Sequence, residues 1–190
     1  MLNSVIVTRE MLIADDACDP AMEAFDEAFP NGSATLQQIV DEELCKPEWL
    51  GWLAAHGSFI TADIGMELIQ RSDDPGYYYG EAAIRADWVT AEIGPMLIGL
   101  SDRPGYYYRR AAIRSHWVTV ETGQSLIMLS DDPHLTFGKA AVYAHWVTDE
   151  IGPGMISKSS EPRKFAEDAI RLAEWMTADI EAELVAKHRL

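Results

Sequence analysis

From residue 59 to the end of the chain, apolar and polar positions recur every 29 residues. Trp88, Trp117, Trp146 and Trp175 hold one column, and Phe59 stands one period before them. Leu68, Leu97, Leu126, Met155 and Leu184 form a second apolar column; Ile69, Ile98, Ile127, Ile156 and Val185 form a third. Polar positions keep step. Thr61, Thr90, Thr119, Thr148 and Thr177 follow the aromatics, and Asp63, Glu92, Glu121, Glu150 and Asp179 follow the threonines. Gly65, Gly94, Gly123 and Gly152 come next, and Pro75, Pro104, Pro133 and Pro162 mark the middle of each full unit. Self-similarity at one period of this size is the signature of a repeat array.

Each unit predicts two short helices. In 88–116, Thr90 is placed to cap a helix start, and Glu92 lies in the first turn, where a carboxylate favours the positive end of the dipole. Ile93, Leu97, Ile98 and Leu100 share one apolar face. Ser101-Asp102-Arg103-Pro104 ends this helix and begins the next, with Pro104 at the first helical position. Pro95 predicts that the first helix begins late, near Gly94. The fold expected is all-α: a helical N-terminal cap on residues 1–58, then an α-solenoid of two-helix repeats. Its units are 59–87, 88–116, 117–145, 146–174 and a half repeat at 175–190. One unit has no partner for its apolar face until its neighbours stack on it. The Trp column is therefore assigned to the core, and the Gly column to close helix–helix approach. In 146–174 the segment Ala169-Ile170-Arg171 lies one position out of register with Ala112-Ile113-Arg114, which predicts looser packing there. Lys187, His188 and Arg189 suit the C-terminus of a closing helix.

Residues 1–58 do not show the period. Asp19-Pro20, Pro30-Asn31-Gly32, Thr35 and Pro47 punctuate helices expected at about 9–15, 20–29, 35–45 and 47–56.

Composition narrows the function. The chain has 190 residues, 48% of them hydrophobic and 24% charged, within the globular range. Its 31 acidic and 15 basic residues give a net charge of −16, which disfavours direct contact with nucleic acid or anionic membranes. This exceeds what solubility requires. Residues 1–58 hold 11 acids against Arg9 and Lys46. There is neither a signal-peptide pattern nor an apolar run long enough to span a bilayer, so a cytoplasmic setting is expected. Cys18 and Cys45 are expected to be reduced, buried small hydrophobes.

The segment Leu100 to Thr119, with its Asp-x-Pro helix start, small-residue helix carrying Arg114, and Thr-capped following helix, resembles leucine-rich-variant and HEAT-like helical repeats. The resemblance covers about 59–190. It implies a superhelical binding scaffold and names no partner.

No catalytic residue, metal or cofactor is expected. His116 and His145 share a column with Asp87 and Glu174 but lack further ligands at helical spacing. The acid column is accounted for by helix starts. No phosphate-binding loop or nucleophile motif is present. Two features point instead to binding. Asp15, Asp16, Asp19, Glu23, Asp26 and Glu27 cluster, with Asp41, Glu42 and Glu43 as a second group. Tyr77, Tyr78 and Tyr79, and again Tyr106, Tyr107 and Tyr108, are consecutive on a helix, so they span too much of its circumference to share one buried face.

The function expected is a non-enzymatic protein-binding module, an acidic inhibitor that docks on the basic nucleic-acid-binding surface of a partner protein. In size and charge alone, the chain resembles the anti-restriction and anti-CRISPR inhibitors encoded by phages. The alternative is a helical-repeat adaptor that grips a peptide or helix through Tyr77, Tyr78, Tyr106, Tyr107, Arg109 and Arg110.

Overall fold

The computed structural model describes residues 2–42 and 45–190, and they are predominantly α-helical. Contacts group the chain into two compact units, Met1–Val89 and Thr90–Leu190.

The first unit opens with a 3₁₀ turn at Leu2–Ser4, strand β1 (Ile6–Thr8), α1 (Arg9–Ala14) and α2 (Asp19–Ala28). Strand β2 (Ser33–Thr35), α3 (Leu36–Asp41), α4 (Pro47–His56), α5 (Ala62–Gln70) and α6 (Pro75–Arg85) follow. β1 and β2 pair antiparallel, Val7 opposite Ala34. This small ribbon departs from the all-helical expectation for 1–58. Val7 and Ala34 are buried while Ile6 and Ser33 point outward, so each strand has one covered face. The helix expected over 35–45 runs only from Leu36 to Asp41. Thr35 caps it in a reciprocal box with Gln38.

α4 packs on α5 and α6 and belongs to the repeat geometry, one period earlier than the Trp column suggests. The indole Nε1 of Trp88 donates to the carbonyl of Ala54 at 2.8 Å. The same bond recurs in the second unit, from Trp146 to Ala112 and from Trp175 to Ala141, always 34 residues back. Ala54, Ala112 and Ala141 are thus equivalent positions.

The second unit holds α7 (Ile93–Leu100), α8 (Pro104–Arg114), α9 (Val120–Leu129) and α10 (Pro133–Tyr143). It ends with α11 (Gly152–Lys158), α12 (Pro162–Leu172) and α13 (Ala178–His188). α8 packs on α10 and α10 on α12, so the second helices of successive repeats lie side by side. Leu97, Ile98, Leu126, Ile127, Met155, Ile156 and Leu184 fill the core between layers. Each full repeat turns the same way between its helices. Ser101, Ser130 and Ser159 donate their hydroxyls to the carbonyls of Ile98, Ile127 and Ile156, which stops the first helix. Pro104, Pro133 and Pro162 then start the second. α7 and α11 begin late, as Pro95 and Pro153 require in a first turn.

The Gly column does not serve helix–helix approach. A Cβ on Gly65 would overlap the ring of Trp88, and the same holds for Gly94 with Trp117, Gly123 with Trp146 and Gly152 with Trp175. Each glycine is the floor on which the next repeat's indole lies. Trp117 and Trp146 are buried; Trp88 and Trp175 are half-buried.

In 146–174, Ile170 and Ala173 are half-buried where their column-mates Ala112, Ala141, Ser115 and Ala144 are buried. Phe165, Ala166 and Ala169 are buried, and α12 keeps the eleven-residue length of α8 and α10. The sequence only looks displaced, because Ile170 stands where Ala112 and Ala141 stand in the two repeats before it.

Candidate interaction surfaces

The first candidate surface is the outer face of α2. The helix begins with Pro20 near its start and no side-chain cap from Cys18. Met22 and Phe25 point into the unit and fix the rotation of the helix. Asp19, Glu23, Asp26 and Glu27 are then exposed together at i, i+4, i+7 and i+8, a single helical face. Asp26 is engaged by Arg9, whose Nε lies 2.9 Å from one carboxylate oxygen and 3.0 Å from the other. Both groups remain open to solvent, so the pair is a weak constraint.

The remaining acidic candidates are placed differently. Asp15 ends α1 and accepts a hydrogen bond from the Ser58 amide at 3.1 Å, a structural role. Asp16 is exposed in a left-handed turn at φ 60°. Asp41 is exposed at the end of α3, its carboxylate held by Gln37. Glu42 lines an apolar cavity of about 60 Å³ with Phe25, Phe29, Ile39, Cys45, Trp49 and Trp52. Glu43 lies outside the described residues. The two sequence clusters therefore do not form one uniform acidic face.

The cysteines also differ from expectation. Cys18 is exposed at the start of α2 rather than buried. Cys45 is half-buried at the cavity, and burial, with Glu42 nearby, pushes its thiol up to about 11.

The tyrosine triplets divide as helix geometry requires, but not identically. On α6, Tyr77 is exposed, Tyr78 half-buried and Tyr79 buried. The Tyr78 ring lies over Gly51 of α4, where a Cβ would collide with it. Burial, then nearby Asp73, pushes its phenol up to about 12. On α8, Tyr107 is only 2% exposed and Tyr106 and Tyr108 flank it half-buried. Tyr107 is thus a core residue, which removes it from the contact surface expected of it. Tyr106 stays available, and three guanidiniums gather over its ring: Arg103 at 4.7 Å, Arg109 at 5.4 Å and Arg110 at 5.6 Å.

This cluster opens into a groove of about 910 Å³ on the second unit. Tyr106, Arg109, Arg110, Ile113 and Arg114 of α8 line one side; Lys139, Tyr143 and His145 of α10 and its exit line the other. Sequence reasoning does not single out Lys139 or Tyr143, and it weighs His145 only as a metal ligand. A signal exists for Lys139 and His145, since Lys139 follows Arg110, and His145 follows His116, by one period. Arg109 is paired with Asp131 at 3.3 Å. His116 and His145 are exposed, and among the described residues no three His, Cys, Asp or Glu side chains gather as a metal site requires. Among the described residues no helix is long and apolar enough to cross a membrane.

In comparison with known proteins, the chain matches no family model, no curated protein and no solved structure.

Proposed function

We propose that this is a non-enzymatic protein-binding module that docks, through the acidic face of α2, on the basic nucleic-acid-binding surface of a partner protein. The α2 stripe carries the reading. Its four carboxylates fall on one helical face within a rise of about 12 Å, a compact line of negative charge. A surface built to hold a phosphate backbone would meet a similar line of anions. Occupying it would exclude nucleic acid, which is inhibition by charge mimicry. In this reading the helical repeats stack as an α-solenoid of the leucine-rich-variant or HEAT-like kind and serve as the scaffold of the binder. Two free thiols suit a reducing, cytosolic setting.

The test uses tagged full-length chain as bait in a nuclease-treated bacterial lysate. Nucleic-acid-binding proteins should be captured, released by salt and displaced by added double-stranded DNA. The D19K/E23K/E27K variant should lose them. Capture that survives this triple reversal, or that DNA leaves untouched, would sink the reading.

A further inference from the structure

The groove on the second unit has the opposite charge to the chain as a whole, and it shares no residue with the α2 stripe of the first. Arg110 and Arg114 are one helical turn apart on α8, and Lys139 and Tyr143 are one turn apart on α10. Arg109 already has Asp131 as its counter-ion. Arg114 and Lys139 have no ion-pair partner among the described residues, although both line the groove. In a chain of net charge −16, two such cations beside an arginine-ringed tyrosine form a local reversal of sign.

We infer that this groove is a docking site for an extended acidic peptide segment of a partner protein, with carboxylates at alternate positions. The spacing selects this occupant. Residues i and i+4 of a helix are separated by a rise of about 6 Å. Alternate residues of an extended strand are about 6.6–6.8 Å apart on one face. An Asp/Glu-x-Asp/Glu segment lying along α8 therefore brings successive carboxylates opposite Arg110 and Arg114, while Lys139 reaches the same side from α10. From the opposite wall, Tyr143 of α10, 58% exposed, offers a flat apolar face to the intervening side chain, which points away from α8. Nucleic acid fits less well. A polyanion longer than the groove would run out over an acidic chain, whereas a short segment keeps its charges within the cationic walls.

The test is fluorescence anisotropy with the full chain and labelled peptides carrying three alternating Glu around one Phe. A Glu→Lys version of the peptide and a single-stranded oligonucleotide of equal charge serve as comparators. The acidic peptide should bind and weaken with salt, and the Lys peptide should not bind. R114E/K139E should weaken the acidic peptide about 10-fold or more, and the neutral R114Q/K139Q should weaken it less. Circular dichroism establishes that each variant is folded; if R114E/K139E does not fold, R114Q/K139Q still decides. Equal binding of the two peptides, unchanged affinity in the folded variants, or tighter binding of the oligonucleotide would each overturn the assignment.

Discussion

The indole of Trp146 donates its N–H to the carbonyl of Ala112, 34 residues earlier, at 2.7 Å, while its ring lies on Gly123, 23 residues earlier. One side chain thus joins the end of α8, the start of α9 and the turn after α10. The carbonyl it satisfies belongs to a fully buried residue. Trp146→Phe keeps most of the ring and removes the donor, leaving that oxygen unpaired. The expected cost is about 1–3 kcal/mol in urea unfolding, with little change in the dependence on urea. A cost below a few tenths would mean that water replaces the indole.

Two helical glycines have opposite expected behaviour. Gly123→Ala pushes a methyl into the Trp146 ring and should destabilise by about 1–3 kcal/mol. Gly99 sits in α7, and the space its methyl would take is open. Gly99→Ala should therefore stabilise by about 0.5–1 kcal/mol through helix propensity. Thermal melts of the two variants check both signs at once.

The helix starts offer a second paired comparison. Asp132 caps α10 by accepting the Leu135 amide at 3.0 Å. Glu161 takes the same position before α12 and makes no side-chain cap. Asp132→Ala should cost about 1 kcal/mol, and Glu161→Asp should stabilise by a similar or smaller amount. Failure of Glu161→Asp to raise the melting temperature would show that its backbone does not accept the shorter carboxylate.

Alkaline pH should loosen the first unit. In the fold the Cys45 thiol and Tyr78 phenol are held up to about 11 and about 12, against ordinary values of 9.0 and 10.0. The unfolded chain thus releases these protons at lower pH than the folded one. Stability from these groups is full below about pH 9 and declines as pH rises through 11 to 12. Tyr78→Phe should flatten the upper part of that decline in a pH series of chemical denaturations. The same shift leaves only about one Cys45 thiol in a thousand ionised at pH 8. Iodoacetamide should accordingly modify exposed Cys18 well before Cys45, as read by intact mass.

The repeats are legible because their anchors are distinctive residue types. Tryptophan, glycine and proline at one spacing announce both the period and the helix starts. The role of the glycines is not legible, since a small residue opposite a helix and one beneath a ring look alike in sequence. The place of α4 in the repeat geometry is hidden for a similar reason. Its in-phase residues, Gly51 and Ala54, are common types, and no tryptophan of the column precedes residue 59 to flag them. The β1–β2 ribbon escapes because each strand has only three residues and the partners are separated by two helices. Of the candidate surfaces, the α2 stripe follows from helical spacing alone. The groove does not, because its far wall comes from α10 and needs the side-by-side placement of α8 and α10.

The two anchors shared by Trp88, Trp146 and Trp175 also decide how such a chain is able to change over time. Tyr77 and Lys164 stand three periods apart in one column, both exposed, so an outward position accepts residues as unlike as a phenol and an ammonium. The length of a repeat has no such latitude. A residue gained or lost within the helices between Ala112 and Trp146 would move the indole off its carbonyl or off its glycine. Novelty in this architecture is therefore expected to enter as substitutions, or as whole added units of 29, rather than as small insertions.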